Sequence, residues 1–155
     1  MIEKIISLLE DRALAGNSLR IKEIIQLRHI LEPEVAALAA ESIGDNELSR
    51  IKAILDAQEK KLAENKDDAE EDLRFHLALA RATKNEVIVE VFAVLFDILK
   101  ECRVAPLQNA KRKITSLEGH LGIYRALKQR DANSSRTAMR NHLSEVESTI
   151  CDTGR

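Results

Sequence analysis

The chain has 155 residues, of which 45% are hydrophobic and 32% charged, the balance of one globular domain and too apolar for a disordered chain. Five glycines and two prolines are too few for the turns of a β-sandwich or barrel, and 3% aromatics without tryptophan leave no stacking platform for single-stranded nucleic acid. A formal net charge of -2 offers no basic excess for direct DNA binding by this chain.

Helical periodicity runs almost from end to end. Ile2, Ile5, Ile6 and Leu9 form a first stripe that stops near Gly16 and Asn17. Ser18 caps a second helix carrying Ile21, Ile24, Ile25, Leu31, Val35 and Leu38, which ends at Gly44. Pro33 inside it lacks a backbone donor and predicts a kink over 29–33. Asp45 is the expected N-cap of a third helix with Leu48, Ile51, Leu55 and Leu62 on one face. A polar stretch over 64–72 contains a turn, and a fourth helix follows over 68–82. Lys84 and Asn85 break the pattern before VIVEVFAVLFDILK, which is apolar on nearly all sides, as a central helix or one at a subunit contact is. A loop is expected over 106–112, a sixth helix over 114–129, and a seventh, capped by Asp131, to 149. The expected fold class is all-α, an antiparallel helical bundle of six or seven helices. There is no signal-peptide core and no apolar run of about 18 residues, so no membrane partner is expected. Cys102 and Cys151 lack any paired spacing and read as reduced thiols of a cytoplasmic protein.

Only four histidines occur: His29, His76, His120 and His142. Asp72 and His76 are four apart, so a helix puts them on one face, one turn apart, where they can share an ion. His120 falls on the inward stripe Leu117, His120, Tyr124, Leu127, and His142 on Ala138, Met139, His142, Val146. One carboxylate and three imidazoles suit a divalent metal ion, zinc as first choice with nickel, manganese or iron open, and leave room for a further ligand. The plainer reading makes each histidine a hydrogen-bonded core residue. Gly119 and Gly122 flank His120, each costing the helix about 1 kcal/mol relative to Ala, for close packing or for ligand space. Arg28 lies inward beside Pro33, and its planar fork matches a carboxylate, either of a ligand or of Glu32 one turn on. Arg103 is a second candidate anion contact or a solvated helix end. Asn85 is a cap, with ligand contact as an added role, and the basic run 111–113 is a solvated helix start.

RHILEPEVAALAA over 28–40, DLRFHLALARATKN over 72–85, EGH over 118–120 and AMRNHL over 138–143 resemble the C-terminal effector (FCD) domain of FadR-type GntR transcriptional regulators, metal-dependent branch. The resemblance covers 18–150 and is most specific in the order and spacing of Asp72, His76, His120 and His142. It implies that these four bind the metal, and that a small carboxylate effector completes the coordination, held by Arg28 with Asn85 and Arg103. It also implies a homodimer that reaches DNA only through a winged helix-turn-helix domain not in this chain. On that reading 1–17 is a helix or linker from the DNA-binding domain and 18–155 the sensing domain. Gln26 and Glu86 depart from the family's usual acid and proline, and neither removes a metal ligand. The chain is then a sensor and not an enzyme. Two rivals stand beside it: a metal-dependent hydrolase, for which the sequence lacks an obvious general base, since the nearest acid, Glu118, is two positions from His120 and on another face, and a dimerisation module without a pocket.

Overall fold

The computed structural model describes residues 17–101 and 109–151. The expected stripe at Ile2 to Leu9 and the candidate Arg103 lie outside them. Six helices follow in order: α1 Asn17–Ser42, α2 Asp45–Ala63, α3 Ala69–Ala82, α4 Glu86–Glu101, α5 Ala110–Lys128 and α6 Ala132–Cys151. Among the described residues there is no strand. The fold is an all-α bundle, and none of these helices is long and apolar enough to cross a membrane.

The helices end where local chemistry stops them. Asn65, Lys84 and Arg130 adopt left-handed backbone just past α2, α3 and α5, with φ of 54°, 57° and 54°. This lets terminal carbonyls be satisfied in a chain with little glycine. Two expected starts are corrected. α2 is capped at Gly44, whose N–H donates to Glu47 Oε2 at 3.0 Å, so Asp45 is its first residue and not its cap. α5 begins at Ala110 because Asn109 Oδ1 accepts from Arg112 N at 2.8 Å, which draws 110–112 out of the expected loop. Asp131 caps α6 as expected, accepting from Ser134 N at 3.0 Å. Pro33 is carried inside an unbroken α1 of 26 residues.

α1 packs most extensively on α6, and α6 on α5; α2 lies on α3 and α5, and α3 on α1 and α4. Ala36, Ala39 and Ala40 are fully buried on α1, and such small side chains let neighbouring helices approach closely. Ile43, Ile51, Leu55, Phe75, Leu79, Ile123, Leu127 and Met139 fill the centre. Around 25 cal/mol per Å² of buried apolar surface drives this packing. The core therefore fixes α3, α5 and α6 rigidly, and those three helices carry the polar residues described next.

Candidate metal centre

Three helices aim imidazoles at one point. His76 from α3, His120 from α5 and His142 from α6 are buried, and one ring nitrogen from each lies within 4.8 Å of the others. Ring centroids stand 5.0 Å apart for His76 and His120, 4.6 Å for His120 and His142, and 5.3 Å for His76 and His142. Phe75 stacks on His120 at 4.0 Å and backs the cluster on its apolar side. The fourth histidine, His29, is elsewhere: its Nε2 contacts Glu147 Oε2 at 2.9 Å and ties α1 to α6.

Asp72 reaches the same place. Its Oδ1 accepts from Ser116 Oγ at 2.5 Å and lies 3.7 Å from His120 Nε2. Burial alone would raise this carboxyl, but the facing His120 and His76, Arg112 and the Ser116 hydroxyl hold it well below the usual carboxylate range. Burial pushes His120 well below the usual imidazole range against the pull of Asp72. It does the same to His142, with the neighbouring rings adding to the effect. His120 and His142 are therefore neutral, the form in which imidazole binds metal.

Arg28 and Glu32 close the cluster from α1. Arg28 Nε donates to Glu32 Oε1, and Nη2 stands 3.3 Å from His76 Nε2. A guanidinium only donates, so His76 Nε2 carries a lone pair and Nδ1 the proton. Glu32 Oε2 faces that Nδ1 at 2.5 Å, a close polar contact without the alignment of a hydrogen bond. Burial would raise Glu32, yet Arg28 and His76 outweigh it and hold the carboxyl at about 2. Both carboxylic partners weighed for Arg28 thus stay relevant: Glu32 takes the Nε–H, and 12% of the arginine side chain remains exposed.

The site fits a cation on its own chemistry. His142 Nδ1 is buried with no hydrogen-bond partner, His76 Nε2 carries a lone pair that only the Arg28 Nη2 contact at 3.3 Å and His120 Nε2 now face, and Asp72 supplies charge. Gly119 makes room for it, because a Cβ there would stand 2.9 Å from His142 Cγ and 3.0 Å from its Cβ. A Cβ at Gly122 would meet nothing within 4 Å. Asn85 is exposed, and its Oδ1 caps α4 by accepting from Val87 N at 3.1 Å and Ile88 N at 3.3 Å. Glu118 is exposed, so the hydrolase rival finds no general base there.

Three residues at the cluster were not singled out from sequence. Gln58 Oε1 lies 2.9 Å from His120 Nδ1. Ser116 holds Asp72. Arg112, read as solvated, lies one turn before Ser116 on the stripe Arg112, Ser116, His120, and its Nε is buried without a hydrogen-bond partner.

The FCD domain matches residues 23–145 of this chain. The Uxu operon regulator of Haemophilus influenzae is 32% identical over 131 residues, covering 81% of this chain and 49% of that protein. The HTH-type transcriptional regulator LutR of Bacillus subtilis is 32% identical over 135 residues, covering 84% of this chain and 62% of that protein. The chain therefore spans roughly half to three-fifths of the length of these curated relatives. A solved Streptococcus agalactiae GntR structure superposes with a TM-score of 0.77 at 23% identity, over 87% of this chain and 62% of that one, and shares the fold.

Proposed function

We propose, for a chain that belongs to the FCD domain family, the role of effector-sensing and dimerisation domain of a bacterial GntR-family transcriptional regulator. Asp72, His76, His120 and His142 bind a divalent ion, with zinc the first choice and nickel, manganese or iron compatible with the same donors. A small organic acid completes the coordination and is held by Arg28, with Arg112 as a second cation nearby. Asn85, beside its capping role, and Arg103 are assigned secondary contacts to the acid. Residues 18–155 form the sensing unit, and 1–17 lead from a winged helix-turn-helix domain that binds the operator. The regulator works in the cytoplasm as a homodimer, through the exposed Val87 and Val91 of α4, and does no catalysis.

The observation that carries this reading is the convergence of three buried ring nitrogens from three helices. Burying polar groups costs free energy unless they find partners, and His142 Nδ1 is buried in this cluster with no hydrogen-bond partner. An acid that binds one arrangement of the dimer more tightly shifts the population by that difference in affinity. The test is metal analysis of untagged protein beside His120→Ala and His142→Ala. Metal near one equivalent, lost in both variants together with affinity for small carboxylates, supports the reading. Unchanged stoichiometry in either variant refutes it.

A further inference from the structure

We propose that Gln58 and Asp68 are positioning residues that set the tautomer of His120, and so decide whether the ring cluster can accept a cation. This rests on the metal-binding reading above. Gln58 is fully buried on α2, and Asp68 is buried immediately before α3.

His120 Nε2 stands 3.2 Å from His76 Nε2. That contact can be made in two ways. With its proton on Nε2, His120 donates to the His76 lone pair, and the two rings close on each other. With its proton on Nδ1, His120 turns a second lone pair toward the first, and the pair becomes a donor set for a metal. Ser116 does not decide between them: its Oγ is 3.5 Å from Nε2, and its proton goes to Asp72.

Gln58 alone does not decide either. Its amide presents a carbonyl or an NH2 after half a turn, so it can accept from Nδ1–H or donate to a bare Nδ1. Asp68 removes that freedom. A carboxylate only accepts, so the NH2 end of Gln58 faces Asp68 Oδ2, at 3.0 Å. The carbonyl Oε1 is then the atom at His120 Nδ1, 2.9 Å away, and it holds the proton there. Turning the amide over would set carbonyl against carboxylate inside the core, leaving both without a donor. Asp68 also accepts from Asp72 N through its backbone oxygen at 3.0 Å. One residue thus orients His120 and holds the first turn of the helix that carries Asp72 and His76.

The experiment is a zinc titration of the untagged chain against a chromophoric chelator, with nitrogen NMR of the imidazoles in chelated protein. The wild type is expected to show the Nδ1–H tautomer at His120. Gln58→Leu is expected to mix the tautomers and weaken zinc binding about 10- to 100-fold, the usual effect of losing such a partner. Asp68→Asn frees the amide to turn and is expected to shift both readouts the same way. The double variant Gln58→Glu, Asp68→Asn exchanges donor and acceptor while keeping an acceptor at Nδ1, and is expected to restore tautomer and affinity. It also settles the question if Gln58→Leu fails to fold, because a folded double variant with weak zinc binding overturns the proposal. Wild-type zinc binding that Gln58→Leu leaves unchanged overturns the positioning role alone. A wild type that binds no zinc overturns the metal reading, and the role with it.

Discussion

Gly119 and Gly122 allow a paired experiment in which one large contribution cancels. Both lie inside α5, and neither has positive φ, so Ala at either site gains about 1 kcal/mol of helix propensity. The surroundings differ. At Gly122 the new methyl enters open space, so Gly122→Ala should stabilise by that ~1 kcal/mol. At Gly119 it meets the His142 ring at Nδ1, with Cγ at 2.9 Å and Cβ at 3.0 Å. The His142 Cβ sits next to its own backbone, so α6 must move or the ring must leave its place. Overpacking of this kind costs about 1–3 kcal/mol. The two variants should therefore differ by about 1–3 kcal/mol, or roughly 2–12 °C in Tm for a chain of this size. Circular-dichroism melts of the chelated proteins measure the difference, and zinc titration asks whether only Gly119→Ala loses affinity. Equal melting temperatures with equal zinc binding would refute the placement of His142 against α5.

Ser116→Ala removes a buried hydrogen bond to a carboxylate and should destabilise by about 1.5–3 kcal/mol in urea unfolding; a loss within experimental error would show that Asp72 is held by other groups. Lys84→Gly relieves left-handed backbone at φ 57° and should stabilise by about 1 kcal/mol, unless the melt shows no gain. In chelated protein His120 and His142 stay neutral when folded, whereas the unfolded chain protonates them below about pH 6.5. Stability should therefore fall as pH drops below about 6.5, where the unfolded chain takes up the protons; Glu32, held near 2, keeps its contribution until below about 4.5, and a urea midpoint flat from about pH 7 to 5 refutes this. Val91→Glu puts a charge on the exposed face of α4 and should shift the proposed dimer toward monomer in analytical ultracentrifugation; an unchanged sedimentation profile refutes this face as its contact.

The bundle and the ring cluster were legible because their signals are periodic. A 3.6-residue stripe dictates which way His120 and His142 point once the helix is granted, and Asp72 with His76 needs only one turn. Arg28 and Glu32 pair at that same spacing. What escaped depends on how helices pack. Gln58 meets His120 only because α2 lies against α5. A signal existed nonetheless: Leu48, Ile51, Leu55, Gln58, Leu62 is an apolar stripe with one polar member, and a polar side chain at a core position needs a partner. Arg112 was hidden by Lys111 and Lys113, since a basic run conceals which of its members turns inward. The start of α5 was read four residues late because Asn109 as a cap is visible only in its bond to Arg112 N.

Placement bears on where the proposed sensing and the proposed assembly would meet. α1 carries Arg28 and Glu32 on the face toward the rings, and Leu27 and Ile30 exposed on its flank. Ile24 of α1 packs with Val94 and Ile98 of α4, next to the exposed Val87 and Val91. α1 thus carries part of the proposed acid site and packs beside the helix of the proposed dimer face. An acid that takes one edge of the Arg28 fork competes with Glu32 for the same positive charge, and any adjustment of that pair is an adjustment of α1. A tenfold preference of the acid for one dimer arrangement requires about 1.4 kcal/mol, comparable to the net worth of one charge-assisted hydrogen bond. A change in the Arg28–Glu32 pair is of that size, so the proposed coupling would need no long relay through the core.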